Sequence, residues 1–324
     1  MNAKVSILLL LAMYLGVPAI LGGDDYLIGL ISSALIIAGI AVAWALLGNL
    51  GGMVSFGHAA FFGVGAYTSA VLTMDYGVPV FVALVIGGIG ASISSLFMIP
   101  ALRLRGPYFA LSILAYAEIF KILATEATPI TGGAAGLLSI PPLPVFMGFD
   151  FGTKLGGYIV ILNIVLLMLI TYHFIRKSSY GLALKAMHDS ELATRIVGVP
   201  ATHLKIVMLI VSAFMTGCVG AFNAHAINFL DPEYAFNGSW TVFPIVAAIF
   251  GGYRTLSGPV LGALFIYLVD QLIFKNLIPH GHHLILGAML AGMIILSPTG
   301  LLPVITKFFT SKGLSKSVKE KQNA

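Results

Sequence analysis

The chain has 324 residues, of which 59% are hydrophobic and 9% charged, with a formal net charge of +5 and a mean hydropathy of +1.01. Soluble domains carry roughly 25% charged residues, so this composition excludes a soluble enzyme and points to an all-α membrane protein that crosses the bilayer many times. The positive balance calls for no nucleic acid, because five of the seventeen Lys and Arg residues (Lys307, Lys312, Lys316, Lys319 and Lys321) lie in a tail after the last apolar run.

Apolar runs that read as spans, against about 20 residues for a full crossing, lie at Val5–Leu21, Tyr26–Leu47, Ala60–Met74, Val78–Pro100, Pro107–Ala127, Tyr158–Ile175, Leu204–Ile227, Trp240–Phe250, Pro259–Ile278 and Leu284–Leu296. They predict about ten transmembrane helices in a single domain over residues 1–324. The first follows Lys4 without a clear small-x-small cleavage site and reads as a retained span. The third and eighth are short, flanked by glycine, and read as broken or re-entrant; eight full crossings remain if those two only re-enter. With the N-terminus inside, Lys4, Arg103, Arg105, Arg176, Lys177, Lys185, Arg195, Lys205, Arg254 and the tail at 303–324 fall on the inner side. Asp24, Asp25, Asp75, Asp150, Asp231 and Glu233 fall outside, with Lys154 the base among them. This agrees with the positive-inside rule and predicts a multi-pass protein with both termini cytoplasmic. About five spans per half would relate the halves by an inversion in the membrane, a common transporter plan.

The stretch Gly48–Thr68, GNLGGMVSFGHAAFFGVGAYT, is apolar yet carries six glycines and a histidine. A bilayer tolerates broken backbone only where protein or a water-filled cavity satisfies its polar groups, so this stretch is a candidate substrate path. Asn49, Ser55 and His58 are its polar candidates, and Gly52 and Gly57 permit close packing or positive φ. His58 is expected to satisfy freed carbonyls, with direct substrate contact as the rival role. Glu118 and Lys121 are one turn apart inside the fifth span and read as a self-neutralising pair or as lining of the path. Asp270 is similarly deep in the ninth. His280, His282 and His283 form a cluster without a cysteine or a convincing acidic partner, so no metal site is expected. The lone Cys218 excludes an internal disulfide and reads as a packing residue.

The longest polar insertion on the inner side, Arg176–His203, contains RKSSYGLALKAMHDSELATRIVGVPATH. Its middle reads as a short helix, with Asp189 or Ser190 as cap, Glu191 at the positive helix start, Arg195 four residues on, and Gly198 as the stop before Pro200. Tyr180–Met187 reads as an earlier short helix. Two capped helices outside the spans suit a docking surface, although an amphipathic loop lying on the membrane would share this pattern.

Four segments carry a resemblance: GNLGGMVSFGHAAFFGVGAYTSAVL, LRLRGPYFALSILAYAEI, AMHDSELATRIVGVP and FGGYRTLSGPVLGAL. In this order and spacing they resemble the permease subunits of branched-chain amino acid ABC importers, the M-type subunit above all; urea ABC permeases share much of the pattern. The resemblance implies a heterodimer with a sister permease, two cytoplasmic ATPase subunits, an extracytoplasmic solute-binding protein and an inner-membrane location. It also implies that Met187–Gly198 is the segment that couples to the ATPase. There Glu191, Ala193 and Gly198 stand at the family's recognisable positions, and Met187, Asp189 and Arg195 flank them. Leu192 departs from the alanine usual beside the glutamate.

No G-x-x-x-x-G-K-[ST] occurs; the frame Gly52–Gly57 is followed by His58 and Ala59. ATP and Mg would therefore be bound by a partner chain, and this chain holds no cofactor and no catalytic constellation. An ATP-independent carrier or channel would share the broken helices and intramembrane charges. An intramembrane enzyme would need clustered acids or histidines on facing spans.

Overall fold

A computed structural model describes residues 12–104 and 106–277 and isolated positions up to 302. Lys4, the start of the first run, Arg105, the histidine cluster, part of the tenth run and the basic tail lie outside the described residues. Helix α1 is Asp25–Ala45; Asp24 caps it by accepting from the Tyr26 and Leu27 amides at 3.0 and 3.1 Å. Its apolar residues encircle the axis, as expected of a helix buried on all sides, and 83% of its spanning window is buried. It continues through a π-helical turn, Leu46–Leu50. Around it stand α2 (His58–Asp75), α3 (Val80–Leu96), α4 (Pro107–Glu126), α5 (Lys154–Lys177), the short α6 (Ser179–Asp189) and α7 (Glu191–Ile196), α8 (Ala201–Ile227), α9 (Ser239–Gly251) and α10 (Gly258–Val269). A second π-helical turn, Asp270–Phe274, extends α10.

Among the described residues, six helices are long and apolar enough to cross a membrane. The expectation of a many-spanning helical protein therefore holds, with six such helices against the ten expected. The short third run is an unbroken 18-residue helix, α2. The break precedes it, at Gly51–Gly57, and the glycines inside α2 serve contact instead. At Gly65 an ideal Cβ would lie 2.4 Å from the Gly217 Cα of α8, so the two backbones touch. The eighth run is also continuous, although it holds Pro244 and is only 13 residues long.

Sequential halves do not sit side by side. α1 packs against α5, α9 and α10, while α8 packs against α2 and α3. The loops add four two-residue strands that the run pattern did not predict. β1 (Leu137–Leu138) pairs antiparallel with β4 (Phe229–Leu230), and β2 (Val145–Phe146) with β3 (Phe149–Asp150). α4 and α10 are the least covered spans, each 28% buried in its spanning window.

Candidate functional site: a broken segment above a docking helix

The glycine-rich stretch leaves helical geometry at Gly51 and regains it at His58. Its backbone is held by side chains from elsewhere. Trp44 Nε1 donates to the Ser55 carbonyl at 2.9 Å, and Ser55 Oγ accepts from the Gly57 amide at 3.3 Å. Thr241 of α9 accepts from the Ala59 amide at 3.0 Å, satisfying a donor at the start of α2. Gly57 lies so close to α4 that an ideal Cβ would stand 2.2 Å from Ile113 Cγ2 and 2.9 Å from its carbonyl oxygen. Asn49 donates from Nδ2 to the Tyr172 hydroxyl at 2.7 Å, tying the π-helical turn to α5.

His58 is buried, 1% exposed. Its Nε2 lies 3.0 Å from Ser212 Oγ, and Ser212 donates to the Ala43 carbonyl at 2.9 Å. The one hydroxyl proton is thereby committed, so Ser212 accepts from His58 Nε2–H. His58 and Ser212 together join α2, α8 and the end of α1.

Below the break a cavity of about 800 Å³ is lined by Gly52, Val54 and Phe56, by Leu111 and Leu114 of α4, and by Glu191 and Lys205. Gly52 stands at its rim, beside His188 of α6.

The Glu191 carboxylate accepts from Arg195 at 2.6 Å and from Lys205 at 2.9 Å. Partial burial pushes its pKa up, but the hydrogen bonds and charges of Lys205 and Arg195 outweigh burial and hold it below the ordinary glutamate value. Of the two caps weighed, Ser190 is the one used: it accepts from the Ala193 amide at 3.3 Å, while Asp189 closes α6. Gly198 has φ +85° and donates to the Arg195 carbonyl, and Val199 reaches back to Thr194 at 3.2 Å, the left-handed stop foreseen for it. Met187 is buried and anchors α6. Ala193 is exposed, and Leu192, Ile196 and Val197 present an exposed apolar edge.

Among the described residues Glu118 and Lys121 form no close ion pair, although the two charges still interact. Lys121, five residues from the outer end of α4, bridges instead to Glu233 on the turn Pro232–Ala235. A long lysine stem reaches the polar end of a span at little cost. Glu118 points outward and is exposed. Asp270 is buried in its π-helical turn, with Gln271 Nε2 at 3.4 Å from its Oδ2. Sequence reasoning did not find the pairings of Ser212, Tyr172, Thr241, Lys205 or Glu233, because each meets its partner across 14 to 182 residues; no local spacing marks them.

Residues 26–297 match the family model described as branched-chain amino acid transport system / permease component. The chain belongs to this family. Over 280 residues it is 30% identical to the high-affinity branched-chain amino acid transport system permease protein LivM of Salmonella typhimurium and 29% identical to that of Escherichia coli. Those matches cover 79% of this chain and 65% of each relative. The probable branched-chain amino acid transport permease protein LivM of Methanocaldococcus jannaschii is 22% identical over 228 residues, 66% of this chain and 65% of that one. No solved structure matches. The chain is thus a mainly α-helical, multi-pass membrane protein of a transport family.

Proposed function

We propose that the protein is one permease subunit of an ATP-driven importer and forms half of the path by which branched-chain amino acids cross the inner membrane. Family membership supports the class. The observation that carries the mechanism is the double ion pair on Glu191, which fastens α7 to the start of α8 and makes the inner segment rigid enough to pass on force. An exposed apolar edge of Leu192, Ile196 and Val197 gives an ATPase a surface to grip. Met187, Asp189, Glu191, Ala193, Arg195 and Gly198 form this coupling segment.

The subunit pairs with a sister permease, takes substrate from a binding protein on the outer face, and couples to two ATPase subunits that bind ATP and Mg. It has ten spans in two inverted halves with both termini cytoplasmic. ATP binding moves the coupling segment, and His188 beside Gly52 passes that motion to the broken segment. Asn49, Gly52, Ser55, Gly57 and His58 shape that segment, and Glu118, Lys121 and Asp270 bear on the path from α4 and α10. The contact of Lys121 with Glu233 makes its role a tie at the outer mouth.

The test is ATP-dependent leucine uptake into proteoliposomes holding the complete complex. Uptake should stop without ATP and fall in Glu191→Lys, with less ATPase co-purified at matched permease levels. Uptake that survives removal of the ATPases would overturn the proposal in favour of a carrier.

A further inference from the structure

The cavity beneath the broken segment climbs α4 and ends one turn short of Glu118. Leu111 and Leu114 line it, and positions 111, 114 and 118 share one helical face. All three residues are exposed. Glu118 stands about eleven residues above Pro107, roughly 16 Å along the axis and so near mid-membrane.

A carboxylate at that depth needs water, a counter-charge or a ligand. Its neighbouring base, Lys121, still feels its charge but is bound to Glu233, and the Glu118 side chain makes no hydrogen bond among the described residues. Among the described residues lining the cavity, the charged groups are Glu191 and Lys205, and they neutralise each other. Glu118 therefore stands at the head of a mainly apolar chamber without a protein cation hydrogen-bonded to it.

We propose that Glu118 is the counter-charge for the α-ammonium group of the amino acid in transit, while Leu111, Leu114 and Phe56 take its aliphatic side chain. The inference rests on the transport reading above and narrows its substrate class. An uncharged solute gains nothing from a carboxylate here, whereas a zwitterion with an apolar tail gains at both ends.

The experiment uses the complete complex in proteoliposomes. Glu118→Gln should assemble with its partners at wild-type levels but lose leucine uptake roughly tenfold or more, the size of a charge-assisted hydrogen bond. On a Cys218→Ala background, Glu118→Cys should react with membrane-impermeant thiol reagents. A sulfonate-bearing reagent should restore uptake, and a quaternary-ammonium reagent of similar size should not. Wild-type uptake by Glu118→Gln, an unreactive cysteine, or equal effects of the two reagents would each overturn the counter-charge. Absence of leucine uptake by the wild-type complex would instead overturn the transport reading, and the counter-charge with it.

Discussion

Glu191 holds two cations, and its lowered pKa sets the sign of their pH dependence. A carboxyl whose pKa is depressed on folding stabilises the fold above its unfolded value and loses that contribution as pH falls through its folded value. The α7–α8 tie should thus persist throughout the neutral range and weaken only in acid below the ordinary glutamate pKa, which protease protection of the inner segment across a pH series would check. Gly198 tests the stop. At φ +85°, with nothing within 4 Å of an ideal Cβ, substitution meets strain and no clash. Gly198→Val should cost about 1–2 kcal/mol or somewhat more, and Gly198→Asn much less because asparagine tolerates this conformation; faster proteolysis of the valine variant near residue 198 is the readout. The Lys121–Glu233 bridge is partly solvated, with Glu233 73% exposed, so its coupling should be about 1 kcal/mol or less. Exchanging the two charges should restore the thermal stability lost in either single reversal, whereas Glu118→Gln should leave it unchanged. Helical spacing had made Glu118 the natural partner of Lys121. Three-residue spacing puts two side chains within reach but cannot say whether a better partner waits on another element.

Local pattern made some elements legible. The cap at Ser190, the Glu191–Arg195 spacing and the stop at Gly198 lie within nine residues, so propensity and hydrogen-bond geometry define α7 without help from the rest of the molecule. The glycine-rich stretch was legible as a break, but its limits were not. Glycine marks helix breaks and close helix contacts alike, and only packing separates Gly57 from Gly65. Gly57 leads to a prediction. Gly57→Ala should lower the yield and thermal stability of the folded permease, because its Cβ meets Ile113 at 2.2 Å. Adding Ile113→Ala should recover only part of the loss, since the Ile113 carbonyl oxygen, 2.9 Å from that Cβ, remains. Full recovery would mean that the backbone approach is looser than described.

At the scale of the molecule, hydropathy gave the class, because lipid imposes it on every segment, and charge predicts the sidedness. Reporter fusions within 128–157 and after residue 321 should report opposite sides of the membrane; the same side for both would break the ten-span arrangement. Which helices touch was hidden, since apolar spans look alike to a bilayer and partner choice depends on shape. The interleaving of α1 with α5, α9 and α10, and of α8 with α2 and α3, emerges only in three dimensions. It has a consequence at the exposed β2–β3 hairpin, whose tip holds Met147, 91% exposed, and Gly148. The contacts of α1 with α5, α9 and α10, those of α8 with α2 and α3, and the β1–β4 ladder all bridge that tip from one side of the chain to the other. The covalent link there is dispensable to recognition: two polypeptides made separately, one ending at 147 and the other starting at 148, carry complementary surfaces and should find each other in the bilayer to rebuild one working subunit.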